Sequence, residues 1–501
     1  LDTPVDAHIR ADDDTYANPS QFVAATTAGP AVGKGDIQVS VDGGSTWHGW
    51  SDNPLSLVTG IGLASVDLGD LNFPIKLRQH AASPPGDTSG SFDTDGTLAA
   101  ATALGDVGSF AATPGAGRVA LSWAAVANRT SYKVDRATDS GFTTGVTLGI
   151  YTGTGTSFTD TGLAAGTTYY YRIKAIGTYR FKDSANYATA NAATFSTGFT
   201  SVSVSAASNP IGLVEGPDGN IWATLADGNK IARITPSLGT VDEFAVPSSG
   251  TAPVGICVLG GNIWYVNNGT SPGITKVSTF SGTPTQTHYT SGFTAPYSCC
   301  AGPDGNLWVT DGQYFRKVNP ATGAVTASYD AGSGHDLRMI CSDGTALFAT
   351  DRHSATGSVT RCSTGGTVVS VACTDSGAGP LGICYDSAAG KVMLVSQDLG
   401  KIYKITPGVP GTSNQSFDAG YVVNASSQIA HVCVGADGRI YTAGYNTSFK
   451  NIYSMASGGG SFTNHSATFT GAGIGWVLGH SNGGVYVAGA GSSAKVGRLV
   501  V

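Results

Sequence analysis

From about residue 200 to the end of the 501-residue chain, one phrase recurs seven times: a short apolar run, a glycine turn, and a second run with a large apolar residue near its start. The copies begin PIGLVEGPDGNIWATL at 210, PVGICVLGGNIWYV at 253, PYSCCAGPDGNLWVT at 296, DLRMICSDGTALFAT at 336, PLGICYDSAAGKVMLVS at 380, QIAHVCVGADGRIYTAG at 428 and GIGWVLGHSNGGVYVAG at 473. Their turn glycines, Gly219, Gly261, Gly305, Gly344, Gly390, Gly438 and Gly483, are 42, 44, 39, 46, 48 and 45 residues apart. A hairpin cannot bury its apolar face alone, so a hairpin repeated at this period must stack on its neighbours, and the period suits four-stranded blades set round an axis. The spacing predicts a seven-bladed β-propeller over 200–501.

The rest of each repeat supplies the outer strands, KIARITPS and TVDEFAVP in the first, GITKVST and TQTHYTS in the second, YFRKVNP and VTASYDA in the third. The seventh stops after its third strand, AKVGRLVV at 494–501. Its fourth is expected from TSVSVSA at 200–206, so that the ring closes through a blade shared by both ends of the domain, which removes two free sheet edges.

Composition agrees with an all-β chain. Charged residues are 12%, about half the roughly 25% of an ordinary soluble domain. Glutamate, a residue of helix surfaces, occurs only at Glu215 and Glu243, whereas glycine, a turn residue, occurs 71 times. Net charge is −7 and no basic block exists, which argues against nucleic acid as a partner. No apolar run approaches the roughly 18 residues of a membrane span, so membrane insertion is not expected.

Ahead of the repeats lie two further segments. Residues 1–81 contain IQVSVDGGSTWHGW, in which Ile37, Val39 and Val41 alternate into the turn Asp42-Gly43-Gly44 and Trp47 follows on the return strand. The string Ser40 to Trp47 resembles the Asp-box hairpin turn of sialidase-type propellers, but as a single copy it reads as a structural turn. With PIKLRQ at 74–79 as a late strand, 1–81 is read as an immunoglobulin-like β-sandwich that docks the chain. Asp12-Asp13-Asp14 lacks the Gly and Glu of a calcium loop and reads as a solvated turn. Residues 82–106 read as a linker. Residues 107–196 carry RVALSWAAV, SYKVDRA and GLAAGTTYYYRIKAIG, each alternating apolar with polar residues. These resemble a fibronectin type III sandwich, with Trp123 as its core tryptophan and Leu163 to Tyr169 as its tyrosine corner.

The recurring GPDGNxW, KIxRITP and APxGI phrases resemble the propellers of the virginiamycin B lyase and NHL repeat group. That resemblance implies the fold. Members with lyase activity hold magnesium with glutamates and use a histidine base to eliminate across an ester bond. Here Glu215 reads as part of a turn and Glu243 as part of an outer strand, neither with a histidine partner, so no enzymatic activity, metal or cofactor is expected.

Five cysteines, Cys257, Cys300, Cys341, Cys384 and Cys433, recur where the first and seventh repeats have Val214 and Leu478, and read as small buried hydrophobes. Unpaired thiols in such number point to folding in a reducing cytoplasm. Asp227, Asn267, Asp311, Asp351, Asp398 and Asn446 follow the second strands and are expected to encircle one propeller face, where His335, His353 and His431 would join them as ligand-binding residues. The expected whole is a non-enzymatic structural or adhesion protein on a bacteriophage virion surface, in a homo-oligomeric or repeating assembly. Its N-terminal domain would meet other virion proteins and its propeller a host-surface glycan or protein. The competing reading is a secreted or cell-surface bacterial propeller that binds, or cleaves, a polysaccharide or small ester.

Overall fold

The computed structural model describes residues 102–501, apart from 178–180, 207, 248–251, 353–356, 373–378, 409–415, 418–419, 424–428, 445–450, 466–473 and 490–493, and only the strands before 102. Every element among the described residues is a strand, and none is a helix. The chain divides into two compact units, one of 1–113, 120–160 and 168–193, the other of 114–119, 161–167 and 194–501.

In the first unit Ile37–Ser40 pairs with His48–Gly49, the hairpin expected there, and also with Lys76–Gln79. A second sheet joins Ala7–Arg10, Gln21–Thr26, Leu63–Asp67 and Val58–Gly60. Trp47 and Asp12 to Asp14 lie outside the described residues. Further on, a three-stranded sheet (Ala111–Pro114, Arg118–Ser122, Ser157–Thr161) accompanies a four-stranded one (Ser131–Ala137, Thr147–Gly153, Thr168–Ile176, Ala188–Ala193). Strand Thr168–Ile176 alternates strictly between buried and half-buried residues, as a sheet with one apolar face requires. Trp123 packs edge-on against Tyr132 at 5.4 Å and Tyr151 at 5.6 Å. Thr102–Ala103 pairs in parallel with Phe181–Lys182, so strand structure begins inside the segment read as a linker.

The seven repeats form seven sheets. The first, Pro210–Glu215, Ile221–Leu225, Lys230–Ile234 and Val241–Ala245, is an antiparallel meander, and the others follow it. Repeat seven, Ile474–Gly479, Val485–Gly489 and Lys495–Val500, takes its fourth strand from Gly198–Ser203, which pairs with Lys495–Val500 over its whole length. All seven turn glycines have positive φ, between 64° and 87°, a backbone shape that costs glycine nothing and other residues free energy. The large residue near the start of each second strand, including Trp222, Trp264, Trp308, Phe348 and Tyr486, is fully buried. Where the turn carries aspartate, its carboxylate accepts the indole N–H of Trp222 and Trp308, both at 3.0 Å.

Neighbouring sheets meet along their first strands, and the first strand of repeat seven packs against that of repeat one. Every first strand carries a register shift after its opening residues. Threonine hydroxyls serve the displaced backbone. Thr224, Thr310 and Thr350 accept the N–H of Gly212, Ser298 and Met339 in their own repeats, and each donates to a carbonyl in the next first strand: Val254, Arg338 and Leu381. Thr310→Val keeps the shape, which Val266 and Val395 have at the corresponding places, but removes both bonds. Its expected cost is about 1–3 kcal/mol, seen as a Tm several degrees lower by calorimetry. An unchanged Tm would show that the hydroxyl bridge carries no net stability.

Candidate functional site

Antiparallel pairing brings the start of each first strand beside the end of the second, because Pro296 faces Asp311 and Leu337 faces Asp351. In repeat three the carboxylate is spent on the backbone. Asp311, fully buried, accepts the Thr294 N–H at 3.0 Å, the Thr294 hydroxyl at 3.1 Å, the Ala295 N–H at 2.5 Å and Arg316 Nε at 2.8 Å.

Repeat four uses the same frame differently. His335 stands two residues before its first strand, where repeat three has Thr294, and its Nδ1 lies 2.5 Å from Asp351 Oδ2. Asp351, 1% exposed, also accepts the Asp336 N–H at 2.8 Å and the Ser358 hydroxyl at 2.9 Å. A carboxylate on Nδ1 fixes the proton there and leaves Nε2 as the acceptor. The His335 side chain is 27% exposed, and among the described residues nothing takes its Nε2. Beside it Arg338 pairs with Asp336 at 2.5 Å and lies over the Tyr297 ring, 4.7 Å from its centroid. A partly exposed imidazole oriented by a buried carboxylate has the makings of a general base.

The remaining expected residues differ in their surroundings. Asn267 ends its second strand as Asp311 and Asp351 do and is buried like them, with Nδ2 2.7 Å from the Thr275 hydroxyl and 3.2 Å from His288 Nδ1. Burial pushes the His288 imidazole below its ordinary value. Asp227 and Asp398 lie two places further along, in exposed turns. His353 and Asn446 lie outside the described residues. His431 is placed in the interior, its ring stacked on Trp476 with centroids 4.0 Å apart and Nδ1 donating to the Val477 carbonyl at 3.1 Å. It shares no partner with His335.

One reading of the glutamates needs correction. Glu215 does have a histidine neighbour: His480 Nδ1 is 3.6 Å away, and the Ser481 N–H donates to the same carboxylate at 2.8 Å. This cluster sits at the glycine-turn end of the sheets, the opposite end from His335. Glu243 pairs with Lys230 at 2.9 Å and accepts the Ser205 N–H. Both glutamates are bound up in holding strands together, so the residues present do not fit the glutamate-held magnesium that the resemblance implies. His480, Arg316 and Ser358 carried no signal in the sequence, since Arg316 and Ser358 find their partner through the pairing of strands and His480 finds its own across two packed sheets.

No protein-family model matches the chain. It is similar to a curated virginiamycin B lyase of Nocardia farcinica (strain IFM 10152), 40% identical over 57 residues, which are 11% of this chain and 20% of that protein. The match therefore spans a fifth of the relative's length. Among solved structures it is similar to a catalytically inactive virginiamycin B lyase from Staphylococcus aureus with quinupristin, at 18% identity and TM-score 0.52, over 60% of this chain and 99% of that one. It is also similar to a streptogramin B lyase, at 21% identity and TM-score 0.51, over 60% and 96%. These establish a virginiamycin B lyase-like propeller fold. The expectation of a protein without enzymatic activity is overturned by the same findings, since the proteins it is like are enzymes.

Burial, opposed only by the bond to Val477, brings the His431 imidazole down to about 3. The unfolded chain binds this proton below the ordinary 6.5, whereas the folded chain does not until near 3. The stability due to a neutral His431 is therefore full above 6.5 and is lost as pH falls through that window. His431→Phe keeps the stack on Trp476 and removes the titration. Urea unfolding from about pH 7 to about pH 4 should show a shallower loss of stability in the variant; parallel curves would mean that His431 does not carry this term.

Proposed function

We propose that the chain is a seven-bladed propeller protein, its ring closed by the sheet that Gly198–Ser203 shares with repeat seven, and that the strand-entry end of repeats three and four binds and cleaves a polysaccharide or small ester by elimination. The observation that carries this reading is the His335–Asp351 pair. In the proposed step His335 Nε2 accepts a proton from the carbon next to a carbonyl, the C–O bond on the following carbon breaks, and a carbon–carbon double bond forms. Asp351, held by Ser358 and the Asp336 N–H, keeps the ring in position and stabilises the imidazolium as it forms. Ring closure is supported by the pairing of Gly198–Ser203 with Lys495–Val500 and by the packing of Leu478 and Leu213 in one cluster.

We further propose that 107–196 is a fibronectin type III domain and 1–81 an immunoglobulin-like one, modules that attach the propeller to a larger partner on a bacterial surface or in a secreted assembly. The likeness to lyases favours this reading over a virion adhesion protein.

The test is to incubate the full chain with polyuronates, small esters and cyclic peptide lactones, following ultraviolet absorbance of a new double bond and product mass. Elimination gives products whose masses sum to that of the substrate, whereas hydrolysis adds water. His335→Gln should lower kcat about 10²–10⁴-fold with little change in KM, the share expected of a general base. Turnover that survives His335→Gln, or an unreactive wild-type chain across the panel, refutes the assignment.

A further inference from the structure

The first strands of neighbouring repeats interlock in a regular way. The residue in the Val214 column of one repeat packs with the residue one column earlier in the next: Val214 with Ile256, Cys300 with Ile340, Cys384 with Val432, Cys433 with Val477. In each of these pairs at least one partner is aliphatic. Between repeats two and three the same contact falls on Cys257 and Cys299.

The two side chains meet in one hydrophobic cluster. Cys299, 4% exposed, donates Sγ to the Trp264 carbonyl at 3.6 Å, and Trp264 is the residue that faces Cys257 across the ladder. The backbones touch just before the pair: a Cβ on Gly255 would lie 2.5 Å from Ser298 Cα. Both side chains are free thiols, and Cys257 is half-buried.

We propose that Cys257 and Cys299 are an oxidisable dithiol, a modification site at which hydrogen peroxide, a water-sized oxidant, closes a disulfide between the first strands of repeats two and three. The Cys257 thiolate attacks one peroxide oxygen and breaks the O–O bond, leaving a sulfenic acid on Cys257, while the departing hydroxide takes up the thiol proton and leaves as water. The Cys299 sulfur then attacks the sulfenic sulfur and expels its oxygen as a second water. Two thiols are oxidised to one disulfide, and one peroxide is reduced to two waters. The neighbouring thiol and burial both push Cys257 above the ordinary thiol value, so the reaction is slow near neutrality and speeds up as pH rises. This inference is independent of the proposed lyase activity.

The experiment treats the native full chain with peroxide, unfolds it in the presence of an alkylating reagent, and reads free thiols and linked peptides by mass spectrometry before and after reduction. The chain has eight cysteines. The expected result is a fall from eight alkylated thiols to six, with a Cys257–Cys299 peptide that disappears on reduction. Cys257→Val and Cys299→Ile restore the aliphatic pairing found between other repeats, so both should fold. Each should abolish the linked peptide, and Cys299→Ile should divert Cys257 to the sulfinic acid. Two thiols left alkylatable at 257 and 299 in the oxidised wild type, or a linked peptide joining any other pair, overturns the proposal.

Discussion

Everything in the repeat region depends on how closely one first strand approaches the next. A Cβ on Gly212 would lie 2.6 Å from the Val254 carbonyl, and one on Gly382 would lie 2.6 Å from the Ala430 carbonyl. At that range only glycine fits without moving backbone, and each first strand bulges beside the contact. The bulge takes a backbone N–H out of the ladder, a loss that would cost free energy if it stayed unpaired. Thr224, Thr310 and Thr350 take up that N–H and reach across to the neighbouring strand with the same hydroxyl. Satisfying the bulge and joining two sheets are therefore one act. The wider space further out between sheets is filled by the buried aromatic and aliphatic residues of the second strands.

That arrangement accounts for what was legible in the sequence. The turn glycines announced themselves because a positive φ admits few other residues, and their spacing gave the number of sheets. The alternation of TSVSVSA, with a seventh repeat one strand short, pointed to the pairing of Gly198–Ser203 with Lys495–Val500. The cysteine column was visible because Val214 and Leu478 stand in the same register.

The candidate site was legible only in part, because the glycine turns fix one end of each hairpin and the His335–Asp351 pair sits at the other. Turns between second and third strands differ in length from repeat to repeat, so carboxylates at similar distances from the glycine end in different places. Asp311 and Asp351 finish their strands and are buried, whereas Asp227 and Asp398 fall in exposed turns. The bulge has a similar effect on His431. It moves the histidine into the column that glycine occupies in repeats one, two and five, which faces the neighbouring sheet, so the ring stacks on Trp476. The Ser481 bond to Glu215 joins residues 266 apart, which no local pattern could announce.

The contrast between repeats three and four shows how one frame holds a buried carboxylate with different donors. In repeat three the donors to Asp311 are two backbone N–H groups, a threonine hydroxyl and the Arg316 guanidinium, which also donates to Ser328. In repeat four the threonine position is held by His335, and the guanidinium of Arg316 has its counterpart in the neutral hydroxyl of Ser358. The backbone need is still met, through the Asp336 N–H, so the strand entry keeps its shape. The new donor differs from a hydroxyl in having a second nitrogen, on a side chain that is partly exposed. A carboxylate already buried to hold a loop thus also orients an imidazole, with no change asked of the strands around it.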